Sequence, residues 1–240
     1  MLLFISDLHL DASRPQVAQA FFQFLQQKVT AADTLYILGD LFELWVGDDD
    51  DDPFALTVQQ HLNVLSQSGT PIYFLHGNRD FLIGEHFAQQ SGCQLLDDPT
   101  VLTVNNETIL LMHGDLLCTK DLVYQAFRQQ SRSPIWRDTV LAKSLVERRQ
   151  IGQQLRQQSK SMSSRKAEDI MDVDQDAVVA TLEKFQATKL IHGHTHRPKR
   201  HSLTIANKPV ERIVLGDWDD RAWCLRFDSE WHLDSWPISS

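Results

Sequence analysis

The sequence predicts an α/β protein. Three observations carry this reading. Six short apolar runs recur along the chain, each closed by glycine or by a polar residue of metal-ligand type. Amphipathic helical patterns separate the first three runs. From about 199 to 237, strand-like runs follow one another with no good helix between them.

The runs are LLFIS before Asp7, TLYIL before Gly39, PIYFL before His76, TILLM before His113, KLI before His192 and RIVLG before Asp217. Apolar, β-branched stretches of this length, bounded by turn residues, read as buried strands. In residues 15–29, Val17, Phe21, Phe24, Leu25 and Val29 recur at helical spacing behind Pro15, a good first-turn residue because its φ is already fixed. Residues 54–67 repeat the pattern with Leu56, Leu62 and Leu65, closed by Gly69. Strand–helix alternation is the mark of an α/β fold. The segment from 199 to 237 is expected to supply antiparallel strands that complete a second sheet.

Composition narrows the function. The chain has 240 residues, 42% of them apolar, enough for one domain with a substantial core. A net charge of −9 argues against a general nucleic-acid binder. Cys93, Cys118 and Cys224 are far apart and odd in number, which disfavours a disulfide or zinc framework and fits a reducing compartment. The opening MLLFISDLHL turns acidic too soon for a signal peptide, and no run approaches the roughly 18 apolar residues of a membrane span. A cytoplasmic protein is expected, with contact at a membrane surface left open.

Residues 119–172 break the rhythm. They are rich in Gln, Ser and Arg and carry eleven Lys and Arg against six Asp and Glu, a net of +5 that leaves −14 for the remainder. One reading is a set of helices with solvated faces. The other is a helical lid inserted into a single domain spanning 1–240, its charge suited to an anionic substrate. Its apolar members, among them Tyr124, Phe127, Trp136 and Leu155, then pack on the domain or line a greasy groove. The acidic run Asp48–Asp52 precedes Pro53. Five consecutive carboxylates do not converge on one ion, so a solvated loop or a helix N-terminus is expected.

Ligand-type residues fall at the carboxyl ends of successive predicted strands, where open α/β sheets place their sites. They are Asp7 and His9, then Asp40, Asn78, His113, and finally His194 and His196. Each alone reads as a turn, cap or satisfied polar residue; five clusters together do not. Residues two apart in an extended segment project to the same side, so each pair aims two ligands at one place. The set is nitrogen and oxygen without thiolate, which suits Mn²⁺, Fe or catalytic Zn²⁺. Seven ligands are too many for one open ion and fit two ions sharing a carboxylate, as in phosphoester displacement. Gly39, Gly77, Gly114 and Gly193 adjoin ligands and permit close backbone approach. His76 and His192 are read as buttressing the turn or pointing away from the site, Asp115 as a residue orienting a ligand, and Asp217 as a strand-end turn residue.

These motifs, D-L-H (7–9), G-D (39–40), G-N-R-D (77–80), H-G-D (113–115) and G-H-T-H (193–196), resemble the calcineurin-like metallophosphoesterases in order and over nearly the whole chain. The resemblance implies a four-layer sandwich of two mixed sheets flanked by helices. It implies one metal on Asp7, His9, Asp40 and His196, and a second on Asp40, Asn78, His113 and His194, with Asp40 bridging. Many relatives carry His where this chain has Arg79. With HGNRDFLIG (76–84), YILGDLFELWVGDD (36–49), MHGDLLCTKDLVYQAFR (112–128), IMDV (170–173) and LIHGHTHRP (190–198), the likeness narrows to the branch that acts on an acylated nucleotide sugar in Gram-negative lipid A biosynthesis. That branch implies hydrolysis of UDP-2,3-diacylglucosamine to UMP and 2,3-diacylglucosamine 1-phosphate with two Mn²⁺ per chain. It implies a peripheral place on the cytoplasmic face of the inner membrane and contact with that surface, with no nucleic acid and no obligate protein partner. By the same likeness Asn78, Arg79 and His194 serve catalysis and substrate binding. Asp121, Ser159, Ser163 and Lys166 fall on substrate positions, with Tyr124 and Arg156 close by; Ser163 stands where relatives can carry Asn. The alternative is a relative acting on soluble nucleotides or phosphodiesters.

Chemistry agrees with Arg79. A pyrophosphate releases a phosphate monoester, which leaves without protonation, so a guanidinium clamp is more useful than a general acid. The competing role for Arg79 is an ion pair with Asp80 or another local carboxylate.

Overall fold

β1 (Leu2–Ile5), β2 (Thr34–Ile37), β3 (Ile72–Leu75) and β4 (Cys93–Leu96) run parallel and side by side. α1 (Pro15–Gln27) and α2 (Pro53–Gln67) are the first two crossovers, and α3 (Glu85–Ser91) leads into β4. The computed structural model describes residues 1–30, 33–163 and 172–238. A second sheet takes β5 (Thr100–Val104), β6 (Glu107–Leu111), β7 (Lys189–His192), β8 (Lys199–Ile205) and β9 (Lys208–Val214) in the order β5-β6-β7-β9-β8. Its three inner strands are parallel and its two edge strands antiparallel.

The C-terminal strands divide between the sheets, contrary to the expectation that they would all complete the second. β10 (Arg221–Phe227) pairs antiparallel with β1, and β11 (Trp231–Pro237) pairs with β10, so the first sheet reads β11-β10-β1-β2-β3-β4. The physical reason is an open edge. β2 covers only one side of β1, and the bare hydrogen-bonding edge on the other side is closed by β10. An alternating strand pattern does not say which sheet has the vacancy.

Strand periodicity builds the layers. Leu3 and Ile5 point to one face of the first sheet and pack with Phe21, Phe24 and Leu62 of α1 and α2. Phe4 points to the other face and meets Ile109, Leu111, Ile191 and Ile213 of the second sheet. Leu110 and Leu190, on the far face of the second sheet, pack against Val178 and Leu182 of α7 (Gln175–Phe185). The result is helix, sheet, sheet, helix. Each inner strand is covered on both faces, which is why its sequence is a continuous apolar run.

Between β6 and α7 the chain forms α4 (Leu122–Ser131), α5 (Pro134–Leu141) and α6 (Leu145–Ser163). Asp121 caps α4 by accepting from Tyr124 N–H, and Ser133 caps α5 with Pro134 at the first position. Ser144 and Glu147 cap α6 reciprocally: Glu147 accepts from the Ser144 N–H at 3.0 Å and Ser144 Oγ from the Glu147 N–H at 3.3 Å.

The acidic run is more than solvated loop and cap. Asp52 caps α2 and Asp48 accepts from Gly84 and Phe87 N–H groups at the start of α3, as a helix N-terminus reading expects. Asp49, however, pairs in two-pronged fashion with the buried Arg148 of α6, and Asp50 and Asp51 pair with Arg149. These partners lie about a hundred residues downstream, beyond the reach of local charge patterning.

Candidate dinuclear metal centre and active site

Every strand that ends in a ligand is a parallel inner strand: β1, β2 and β3 of one sheet and β6 and β7 of the other. Their carboxyl ends therefore meet at one end of the sandwich. Asp7, His9 and His196 form one group whose ligand atoms lie within 4.8 Å of each other, and Asp7, Asp40 and His113 form another. His9 Nε2 faces His196 Nε2 at 3.2 Å, and His196 Nε2 lies 3.5 Å from Asp7 Oδ1. Asp40 Oδ2 stands between the groups, 4.0 Å from His9 Nε2 and 3.8 Å from His113 Nε2. Asn78 Oδ1 lies 2.9 Å from His113 Nε2 and 2.8 Å from His194 Nδ1. All seven expected ligands are thus brought together.

The backbone brings them together differently from expectation. Extended alternation was to point each pair one way. Instead Asp7, His9, Asp40, His194 and His196 all have positive φ, between 48° and 67°. The other five non-glycine residues of this kind lie at the Asn105–Asn106 and Ala206–Asn207 hairpin turns and at the end of α7, where such angles are ordinary. At the ligands the left-handed conformation costs roughly 1–2 kcal/mol per residue, and strain of this kind clusters at functional sites. Close packing of the loops explains two glycines. A Cβ on Gly39 (φ +87°) would sit 2.5 Å from Gly77 Cα, and one on Gly193 would sit 2.1 Å from Asp7 Oδ2.

Hydrogen bonds leave one face of each ligand bare toward the cluster. Asp7 Oδ2 accepts from Ser6 Oγ at 2.6 Å and from His194 N–H at 2.9 Å, while Oδ1 is buried with no donor among the described residues. Asp40 Oδ1 accepts from Arg79 N–H at 2.8 Å, leaving Oδ2 to the cluster. His113 Nδ1 donates to the Leu38 carbonyl at 2.9 Å, so a neutral His113 presents only a lone pair at Nε2. That lone pair faces the Asn78 amide oxygen, another acceptor. Two acceptors in contact need a cation between them. Spacings of about 3 Å between donor atoms are those expected around a divalent ion with bonds near 2.1 Å. A proton is the competitor: burial works against it, yet Asp40, Asp115 and Asp7 hold the His113 imidazole up to about 9. At Asp7, burial opposes ionisation, but the imidazoles of His196, His113 and His9 hold the carboxyl well below the usual range. The residues present fit a pair of divalent cations.

Three contacts that sequence reasoning missed support the ligands. Asp80 is buried and ties two ligand loops together, accepting from Gly77 and Leu41 N–H groups at 2.8 Å each. It forms no ion pair with Arg79 among the described residues, so that competing role for Arg79 is not observed. Glu43 Oε2 lies 3.1 Å from His9 Nδ1. Asp217 Oδ2 lies 3.4 Å from His196 Nδ1, so it is more than a turn residue. Its signal was present, since RIVLG-Asp repeats the strand-end pattern of the ligands. His192 is buried as a buttress, its Nδ1 donating to Gly193 O at 2.8 Å and its Nε2 accepting from Arg212.

Part of the cluster borders a cavity of about 590 Å³ lined by His9, Asp40, Asn78, Arg79, His194 and His196, by Phe127, Trp136, Ile151 and Leu155 of α4–α6, and by Trp45 and Phe81. Arg79 reaches this cavity, its Nε buried and without a hydrogen-bond partner among the described residues. Of the expected substrate contacts, Asp121, Tyr124, Arg156 and Ser159 line the cavity. Tyr124 stacks near the His194 ring, 6.0 Å between centroids, and its hydroxyl donates to Asp115, which also takes Arg128 Nε at 2.8 Å. Arg156 pairs with Glu43. The Ser163 side chain and Lys166 lie outside the described residues.

Residues 1–198 match the calcineurin-like phosphoesterase family, and the chain belongs to it. That family implies a dinuclear metal centre. Among its relatives, one from Cellvibrio japonicus is 52% identical over 223 residues, covering 93% of each chain, and is named UDP-2,3-diacylglucosamine hydrolase. Relatives bearing the same name from Pseudomonas aeruginosa and Pseudomonas entomophila are 46% and 47% identical, covering 96% of each chain.

Proposed function

We propose that this chain hydrolyses UDP-2,3-diacylglucosamine to UMP and 2,3-diacylglucosamine 1-phosphate, a step of lipid A biosynthesis, with two Mn²⁺ held by Asp7, His9, Asp40, Asn78, His113, His194 and His196. The observation that carries it is the junction of two chemistries in one cavity: His9, Asp40, Asn78, His194 and His196, five of the seven candidate ligands, line it together with apolar side chains of α4–α6. The names of the relatives support the substrate.

Asp40 Oδ2, placed between the imidazole groups, would be available to both cations, which when bound would supply a lowered water pKa and neutralise developing charge. Arg79, which lines the cavity, clamps the phosphoryl oxygens in the two-pronged contact that a guanidinium can make. Asn78 and His194 orient the uridine-side phosphorus, where attack releases the acylated sugar phosphate as an unprotonated monoester. The segment 119–172 is a lid on a single domain. Its Phe127, Trp136 and Leu155 take acyl carbon at about 0.8 kcal/mol per buried methylene, and Asp121, Tyr124, Arg156, Ser159, Ser163 and Lys166 supply polar contacts to the substrate.

A peripheral place on the cytoplasmic face of the inner membrane is part of this reading. No described helix is long and apolar enough to cross a membrane. Leu122, Val123, Ile135, Leu141 and Val146 are large apolar residues exposed on α4–α6, and the segment's net +5 suits an anionic lipid surface. Cys93, Cys118 and Cys224 are buried and none is in a disulfide among the described residues, in keeping with a reducing compartment.

A substrate comparison tests the proposal. With Mn²⁺, UMP release from the lipid nucleotide is expected to exceed hydrolysis of a chromogenic phosphodiester by orders of magnitude in kcat/KM. A diester hydrolysed better than the lipid nucleotide contradicts it and favours a soluble-substrate phosphoesterase.

A further inference from the structure

Glu43 stands between the metal cluster and α6. Its Oε2 lies 3.1 Å from His9 Nδ1, while His9 Nε2 faces His196 in the cluster. Its Oε1 pairs with the Arg156 guanidinium, and its backbone carbonyl accepts from Arg156 Nη1 at 2.8 Å. Glu43 is itself fixed by its N–H, which donates to Leu10 O at 3.1 Å, next along the chain from His9. One carboxylate therefore touches a metal ligand on one side and a helix of the insertion on the other.

The His9 contact is close but bent: Nδ1 is buried and makes no well-directed hydrogen bond despite the 3.1 Å approach. Arg156 holds the other carboxylate oxygen and the backbone carbonyl of the same residue, so both contacts bear on the carboxylate's orientation. A histidine that binds a metal through Nε2 is oriented, and its basicity raised, by a carboxylate at Nδ1. Here the charge of that carboxylate is shared with a guanidinium on α6. His196 provides the comparison. Its Nδ1 lies 3.4 Å from Asp217 Oδ2, which follows β9 on the sheet side of the site.

We infer that Glu43 is a positioning residue that orients His9 for metal binding and, through Arg156, couples the lid to metal affinity. The inference rests on the proposed readings of His9 as a metal ligand and α4–α6 as a lid. Coupling of this kind is reciprocal: a metal that tightens the lid is itself held more tightly when the lid is docked. Arg156 then acts at Glu43 rather than only on substrate.

The test uses the metal-free full chain, titrated with Mn²⁺ alone, in wild type and in Glu43→Gln, Arg156→Gln and Asp217→Asn. Calorimetry reads affinity and stoichiometry, and hydrogen exchange reads α6. Glu43→Gln is expected to weaken Mn²⁺ binding about ten- to a hundredfold with the metal-free melting temperature unchanged. In wild type, Mn²⁺ protects α6 amides from exchange, and this protection is lost in Glu43→Gln and Arg156→Gln. Asp217→Asn weakens Mn²⁺ but keeps α6 protection at saturation. Should Glu43→Gln fail to fold, Arg156→Gln carries the exchange test. Wild-type Mn²⁺ affinity in Glu43→Gln, or α6 protection that survives in Arg156→Gln, overturns the coupling. Fewer than two Mn²⁺ bound by wild type overturns the metal-centre reading instead.

Discussion

Arg79 is the residue on which the chemistry turns most visibly. Its side chain lines the cavity and its Nε has no hydrogen-bond partner among the described residues, which places a guanidinium where an anion would meet the cluster. Arg79→Ala is expected to lower kcat by about 10²–10³ with two Mn²⁺ still bound, the size of effect that follows loss of one transition-state donor. Lysine restores little, because a point charge does not reproduce a two-pronged contact. Steady-state kinetics beside metal analysis checks both. His192 yields a prediction of a different kind. Burial, aided by Arg212, pushes its imidazole down to about 3, whereas the unfolded chain titrates near 6.5. The folded protein thus binds fewer protons than the unfolded chain between these values, and stability present above about pH 6.5 is lost as the pH falls. The slope is up to about 1.4 kcal/mol per pH unit. Denaturant unfolding of metal-free protein from pH 7 to 4 is expected to show that slope, reduced in His192→Asn. The ligands were legible because strand-end position and residue type are both local. Their left-handed backbone was not, since nothing in D-L-H or G-H-T-H says that the chain has already left the strand at the first ligand.

Among the elements, α4 and α6 matter most. α4 presents Tyr124 and Arg128, one turn apart, to the buried carboxylate of Asp115. α6 is held by Asp49, Asp50, Asp51 and Glu43. Tyr124→Phe strips a buried acceptor of one donor, a loss of about 1–3 kcal/mol. It is expected to lower the melting temperature and speed proteolysis within 119–172; an unchanged cleavage rate contradicts the docking role of the Asp115 contact. The helices themselves were legible from apolar spacing and charge, and Pro134 and the Ser144–Glu147 pair announce two of their starts. Their docking was not. Asp49 and Arg148, or Glu43 and Arg156, are about a hundred residues apart in the chain, and only folding makes them neighbours. The same holds for β10 and β11, whose pattern fixes strand but not sheet.

The whole molecule joins a sandwich that positions the seven candidate ligands to a helical segment that adds apolar side chains to the cavity. The sandwich is expected to tolerate loss of metal, because its inter-sheet core of Phe4, Leu38, Ile109, Leu111, Ile191 and Ile213 is one buried apolar cluster that does not include the candidate ligands. Substituting Asp for Ile135 and Val146, both well exposed on the attached segment, is expected to release the protein from anionic vesicles in a sedimentation assay while leaving Mn²⁺ stoichiometry at two. Retention on vesicles contradicts this placement of the membrane-facing surface. The central claim is a bridged pair of cations acting on a lipid pyrophosphate. It is tested most directly by Mn²⁺-dependent UMP release from UDP-2,3-diacylglucosamine, measured together with bound metal, in wild type and Asp40→Ala. The account predicts two Mn²⁺ and rapid release in wild type, with metal and release both lost in Asp40→Ala. UMP release by Asp40→Ala at the wild-type rate would contradict it.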